Sequence, residues 1–273
     1  MLKTERGETK MYLHAKSFNY NNQELPSGYV LATPSSPDLD KDTTIKRTAN
    51  YGDLTPYRPK PHYYASAYDS VLKFNIFLLR CDGKPMTRQE QINLVRWLDT
   101  PDEHCLLTVT DFSDSDYHKD LEYFVVPTGY SEYGLANHIY GLDFSFECNA
   151  PYPFTKEYIY PIDTTKTLII DNISDKLSTD VYPIITLKAN KTETIKITNI
   201  NYADEEMKLQ VIEGQTLTID NEYGCITDDK EQFNYSTDTN LEWLHLAPGK
   251  NSISFTGDFT GTVKCRYARK VGI

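Results

Sequence analysis

Short segments with the alternation of a β-strand recur about every ten residues through the second half of the chain, and this spacing restricts the fold more than any other feature. Turns rich in glycine, asparagine and proline separate them, as in NKTE, NEYG and APGKN. The pattern predicts an all-β sandwich without helices over residues 151–273. The strand segments are EYIYPI, TLIID, VYPIITLKA, TIKITN, MKLQVI, TLTID, GCITD, LEWLHL, NSISF and TVKCRY.

The stretch GLDFSFECNAPYP lies immediately before this region and ends a strand abruptly. Its apolar residues alternate with polar ones, so they would face one side of a sheet. Pro151 and Pro153 follow, and proline lacks the N–H that a β-ladder needs. We therefore predict a domain boundary here, with an N-terminal domain over residues 1–150. The inward row would be Leu142, Phe144, Phe146 and Cys148, the cysteine being a small buried residue.

The N-terminal domain combines strand patterns with one helix, and we predict a β-sandwich-like fold for it in a chain that is mainly β. The helix spans TRQEQINLVRWLDT, because Thr87 and Glu90 have the spacing of a capping box. Ile92, Val95 and Trp97–Leu98 form its apolar stripe. The strand VLKFNIFLLRC precedes the helix, and a meander joined by the polar links SDSDYHKD and GYSEYGL follows it. The meander strands are CLLTVTDF, LEYFVVPT and HIYGLDFSFEC.

Residues 37–64 have little periodicity, which is unusual for so long a segment inside a domain. Three prolines favour an extended backbone there. Tyrosines supply side chains that are apolar along the ring and polar at the tip, a composition typical of interfaces. Such segments are often functional arms or disordered, and we favour an extended arm. Its candidate anchors are Tyr51, Tyr57, Tyr63 and Tyr64.

The formal net charge of −11 is spread over both halves of the chain, and no basic block is present. This balance argues against sequence-specific nucleic-acid binding. The N-terminus is too polar for a secretory signal, and the longest apolar run is too short to cross a bilayer. We therefore expect neither nucleic-acid recognition nor membrane insertion.

The sequence contains no catalytic or metal-binding motif that we recognise. The five cysteines are widely spaced and odd in number, and the six histidines are scattered. TDFSDSDYHKDLE places Asp114 and Asp116 as in a calcium loop, but the required glycine and bidentate glutamate are missing. We interpret this segment as a solvated hairpin loop, and we predict no enzymatic activity, no cofactor and no metal.

Trp243 in LEWLHLAPGKNSISF has two interpretations. An exposed tryptophan on a β-sandwich can be a weak carbohydrate platform, whereas the alternation of Leu241, Trp243 and His245 with Glu242, Leu244 and Leu246 favours a core position. We favour the core interpretation.

In combination, four segments resemble the distal tail (Dit) protein family of bacteriophages with long non-contractile tails. The first is the helix MTRQEQINLVRWLDTP followed by CLLTVTDF and the DSDYHKD loop. The second is FSFECNAPYPF, which looks like the family's domain junction. GQTLTIDNEYGCI and LEWLHLAPGKNSISFTG look like parts of its C-terminal domain. Together the four segments spread the resemblance along the chain from about Val71 to Tyr267.

The resemblance implies a hexameric ring formed by the N-terminal domain and a galectin-like C-terminal sandwich. An arm that reaches a neighbouring subunit, with the tyrosines of residues 37–64 as anchors, fits this arrangement. Such a ring would connect the tail tube to the tip or baseplate, surround a channel for DNA, and bind a tail-associated lysin-type protein and a receptor-binding protein. It implies a structural protein at the tail tip of the virion, made in the host cytoplasm. An acidic channel would repel DNA and let it pass. The alternative is a host cell-wall carbohydrate-binding protein.

Overall fold

The computed structural model describes residues 11–33, 47–53, 60–112, 119–202 and 205–270. The chain divides into two units, of which the first ends at Pro153 and the second runs from Phe154 to Lys270. Strands dominate both units, so the prediction of a mainly β chain is confirmed.

The described residues of the first unit form nine strands and one helix, and seven of these strands form one antiparallel sheet in the order β2-β1-β7-β8-β9-β6-β3. β4 and β5 form a separate two-stranded ribbon. The elements are β1 (Ser17–Tyr20), β2 (Gln23–Glu24), β3 (Tyr29–Ala32), β4 (Arg47–Tyr51), β5 (Tyr63–Tyr68), β6 (Lys73–Arg80), α1 (Arg88–Leu98), β7 (Cys105–Thr110), β8 (Leu121–Leu135) and β9 (His138–Cys148).

The helix α1 starts as the capping-box spacing predicts. The Glu90 N–H donates to Thr87 Oγ1, and the Thr87 N–H donates to the Glu90 carboxylate at 2.7 Å. The predicted apolar stripe is rotated, however. Gln91, Leu94 and Leu98 are the buried residues, whereas Ile92 and Val95 are only half-buried. In the interior, Gln91 Nε2 donates a hydrogen bond to the Met86 carbonyl at 3.1 Å. Because its polar group is paired in this way, glutamine can occupy the inward face of the helix.

The inward row of β9 is confirmed, because Leu142, Phe144, Phe146 and Cys148 are all buried in the core of the first unit. Burial raises the pKa of the Cys148 thiol to about 12, so this cysteine is held in its unreactive protonated form.

The prediction that GYSEYGL is a polar link was wrong, because β8 continues through it to Leu135. Ala136 and Asn137 then form a two-residue turn with φ of 49° and 64°, the geometry of the tightest hairpins. The distal part of this β8–β9 hairpin is exposed on both faces, so the one-sided burial that produces a period-two pattern is lost there.

The second unit is a sandwich of two antiparallel sheets, one in the order β11-β19-β13-β16-β17 and one in the order β12-β18-β14-β15. Apolar side chains from both sheets form its core. A short 3-10 turn, Ile200–Tyr202, interrupts the all-strand pattern that the sequence predicts. The strands are β10 (Phe154–Thr155), β11 (Tyr158–Ile162), β12 (Leu168–Asn172), β13 (Ile184–Ala189), β14 (Glu193–Asn199), β15 (Glu206–Val211), β16 (Thr216–Asp220), β17 (Cys225–Asp228), β18 (Gly249–Thr256) and β19 (Phe259–Cys265).

LEWLHL is not the strand that its alternation predicts. It belongs to an irregular crossing segment between β17 and β18, in which Thr239 forms a β-bridge with Leu209 and Leu246 forms one with Val181. Buried asparagine side chains bind its backbone in place of a neighbouring strand. The Leu244 N–H donates to Asn221 Oδ1 at 2.8 Å, and Asn199 Nδ2 donates to the carbonyl of His245 at 2.8 Å.

Candidate assembly surface

The β4–β5 ribbon places three of the four predicted arm tyrosines in solvent. Tyr51, Tyr63 and Tyr64 are 58%, 51% and 67% exposed. The Tyr51 and Tyr63 rings meet edge to face at 5.6 Å, and Tyr64 lies 5.1 Å from the His62 ring. The fourth predicted anchor, Tyr57, lies outside the described residues.

In the described residues, side-chain contacts supplement the hydrogen bonds between the two strands of the ribbon, and the Tyr68 ring meets the Tyr152 ring edge to face at 5.8 Å. Arg47 lies over the Tyr68 ring at 4.8 Å, and Thr48 Oγ1 donates to Asp69 at 2.7 Å. Within the described part of the chain no third strand pairs with it, and all five residues of β4 are exposed. Because a lone two-stranded ribbon is marginally stable in water, its tyrosine-rich surface favours a further partner.

One face of the β8–β9 hairpin lines an apolar groove of about 250 Å³. Tyr133 and Leu135, which are 55% and 66% exposed, line it together with Tyr140 and Leu79. Gly141 lets the strands approach closely here, because a Cβ at this position would lie 2.6 Å from the Leu79 side chain.

Arg80, which also lines this groove, forms ion pairs with two carboxylates. Both Nη1 contacts of Arg80 with the Glu90 carboxylate measure 3.0 Å, and Arg80 also binds Asp82 at 2.8 Å. The groove thus combines exposed aromatic and aliphatic side chains with a fixed polar border, a composition typical of protein interfaces.

A second groove of about 250 Å³ separates the stem of the hairpin from α1. Ile92 and Val95, the two half-buried residues of the predicted stripe, line it from the helix. Tyr130 and Glu132 line it from β8. Because Tyr130 and Glu132 alternate with Tyr133, the two grooves lie on opposite faces of one hairpin.

Trp243 is half-buried against the core of the second unit. Its ring packs over Gly224, whose φ is +61° and where an added Cβ would lie 3.3 Å from the indole. This packing agrees with the core interpretation, and a carbohydrate-binding role for Trp243 stays a prediction.

Across the described ranges, no three His, Cys, Asp or Glu side chains are arranged to hold a metal ion. All five cysteines are free. None of the helices described is long and apolar enough to span a membrane.

Solved structures of phage tail components share this fold. Dit of phage SPP1, a hub adsorption apparatus protein of phages that infect Gram-positive bacteria, matches with a TM-score of 0.63 and 11% identity, over 92% of this chain and 98% of its own. A chain of the phage P2 baseplate in its activated conformation with calcium matches with a TM-score of 0.55 and 7% identity, over 93% of this chain and 98% of its own. The baseplate of phage p2 in its activated conformation with strontium matches with a TM-score of 0.55 and 8% identity, over 93% of this chain and 98% of its own.

No curated protein sequence matches the chain. Two family profiles do match it. One describes a phage tail protein N-terminal domain and matches residues 13–150. The other describes a phage tail C-terminal domain and matches residues 152–266. With both domains present in order and a fold shared with SPP1 Dit, the chain belongs to this family of phage tail proteins.

Proposed function

We propose that this protein is a distal tail protein, a structural hub that joins the tail tube to the tip or baseplate and has no catalytic activity. Membership of a phage tail family and the fold shared with SPP1 Dit support this role. SPP1 Dit is described as a hub adsorption apparatus protein, and two further related structures are phage baseplates.

The observation that carries the proposal is the set of exposed aromatic and aliphatic side chains on the described surface of the first unit. The ribbon and the two grooves differ in shape and in the residues that they present. Contacts between unlike surfaces of identical subunits are heterologous, and they close into a ring when the rotation between subunits permits. We propose that the ribbon and the hairpin bind neighbouring copies, with Tyr51, Tyr63, Tyr64, Tyr133 and Leu135 at the contacts.

We further propose that six copies surround a channel through which DNA passes. The sequence resemblance supplies the number six. The net charge of −11 per chain supports weak binding of DNA during passage, because few basic groups are available to displace counterions from phosphates. The partners in the tail would be the tail tube, a tail-associated lysin-type protein and a receptor-binding protein.

Immunogold electron microscopy of intact virions tests the position of the protein. Antibodies raised against the whole chain should label the distal tip of the tail, because a hub occupies one ring at the end of the tube. Antibodies against the tail tube protein are the control, and they should label along the tail. Gold distributed along the tube with this antibody, or confined to the head end, would contradict the proposed function.

A further inference from the structure

The His245 imidazole lies between two carboxylates in the second unit. Nδ1 is 2.6 Å from Asp180 Oδ2, and Nε2 is 2.6 Å from Glu205 Oε2. The histidine side chain is only 17% exposed. Both ring nitrogens are therefore at hydrogen-bond distance from an acceptor that has no proton to donate when ionised.

A neutral imidazole has one N–H and one lone pair, so it can satisfy only one ionised carboxylate. The other nitrogen would then direct its lone pair at carboxylate oxygen at 2.6 Å, which is repulsive. An imidazolium has two N–H groups and satisfies both partners. The geometry therefore assigns the doubly protonated ring to this arrangement, and we propose that Asp180, Glu205 and His245 form a protonation-dependent clasp.

The clasp joins three separate parts of the second unit. Asp180 precedes Val181, which pairs with Leu246. Glu205 lies between the Ile200–Tyr202 turn and β15, and His245 belongs to the crossing segment. None of these three residues lies in a strand. Side-chain contacts therefore do much to hold these three segments in place.

Two tyrosines complete the surroundings of the ring. Tyr202 lies 4.1 Å from the imidazole between centroids, and its hydroxyl donates to Asp180 Oδ2 at 2.8 Å. Tyr182 lies 5.9 Å away. The Tyr202 pKa is raised to about 12, by this hydrogen bond and by burial, so the hydroxyl keeps its proton over the range in which an imidazole titrates.

The direction of the pH dependence follows from the same contacts. Burial opposes the charged imidazole, but the hydrogen bonds to Glu205 and Asp180 outweigh it and raise the His245 pKa above its ordinary value. The stabilisation from a raised pKa is complete below the unfolded-state pKa and is lost as pH rises through the folded-state value. The clasp therefore holds from the ordinary imidazole range downward and releases on the alkaline side.

When His245 loses its second proton, we expect its contact with Glu205, the more exposed carboxylate, to break first. Glu205 is 47% exposed, whereas the Asp180 side chain is 22% exposed and keeps the bond from Tyr202. Loss of the Glu205 contact would loosen the Ile200–Tyr202 turn, which carries the exposed Ile200 side chain. The clasp thus couples protonation to the order of one turn at the surface of the sandwich.

NMR titration of the full chain with histidines labelled at ring carbon Cε1 tests this inference. The His245 signal, assigned by its loss in His245→Gln, should titrate with a midpoint above that of a histidine in an unfolded peptide. Glu205→Gln and Asp180→Asn should each lower the midpoint. Hydrogen exchange should show that the Glu205 amide, which donates to the Tyr202 carbonyl, loses protection as the ring deprotonates.

Glu206→Gln is the matched control, because Glu206 is the next residue but pairs with Lys196 and Lys208. It removes the same charge and should leave the His245 midpoint unchanged. Glu205 is exposed enough that its substitution should leave the fold intact, which near-ultraviolet circular dichroism checks. An unshifted His245 midpoint, or a midpoint that Glu205→Gln and Glu206→Gln lower equally, would overturn the clasp.

Discussion

Replacing Tyr133 and Leu135 together with aspartate is expected to abolish assembly and leave a folded single chain. Both side chains are more than half exposed, so the substitutions should cost the isolated fold little. At a subunit contact they would bury two carboxylates without partners, and each unpaired charge costs several kcal/mol. Sedimentation velocity should show the wild-type assembly replaced by one copy of the chain.

The matched control is Tyr223→Asp with Leu177→Asp. These residues are also exposed, at 81% and 72%, and they give the same change in composition and charge on the second unit. This control should assemble like the wild type. Assembly of the Tyr133/Leu135 variant to the wild-type size would show that the β8–β9 hairpin lies outside the subunit contact.

Phe144→Ala is expected to destabilise the first unit by about 3–5 kcal/mol, the usual cost of truncating a buried phenylalanine. Phe144 is fully buried on β9, between β8 and β6 near the centre of the sheet. The two tryptophans help the measurement, because Trp97 lies in the first unit and Trp243 in the second. Urea unfolding followed by Trp97 fluorescence in a Trp243→Phe background reports the first unit.

Phe112→Ala makes the same substitution at a site that is 64% exposed, and it should change stability by less than about 1 kcal/mol. The reverse background, Trp97→Phe, reports the second unit, and we expect Phe144→Ala to leave its transition in place. Equal losses for Phe144→Ala and Phe112→Ala would contradict the assignment of the β9 row to the core.

Elements with strong local signals could be predicted from the sequence. The Thr87–Glu90 capping box is complete within four residues, so α1 begins where the sequence indicates. From Phe144 to Cys148, buried residues of β9 alternate with half-buried polar ones, and this unequal burial of the two faces produces a period-two pattern. In both cases the spacing of residues within one short segment is enough to predict the element, because the capping bonds and the alternation of side chains along a strand are set within that segment.

Predictions failed where distant contacts replace local ones. The crossing segment alternates like a strand, but buried asparagines from β14 and from the end of β16 bind its backbone. Leu241 also has a φ of +59°, which interrupts an extended chain. The partners of such a segment are far away in the sequence, so its alternation alone does not reveal that no ladder forms.

The candidate assembly surface could be predicted only in part. The tyrosine-rich composition of residues 37–64 is visible in the sequence, but the pairing of part of this segment into the β4–β5 ribbon was not predicted, and its role as an arm stays a prediction. The distal hairpin was missed because exposed tyrosines and serines on both faces look like a polar link. Its signal lies in Tyr130, Tyr133 and Leu135, whose apolar surface is more than a connecting loop requires.

Native mass spectrometry of the purified full chain tests ring assembly most directly. The predicted result is a species of six copies of the 31.4 kDa chain, about 188 kDa, or two such rings together, with six-fold class averages in negative stain. A mass of one copy at every concentration, or a two-fold dimer as the largest species, would contradict the proposal that the chain forms the hub ring by itself.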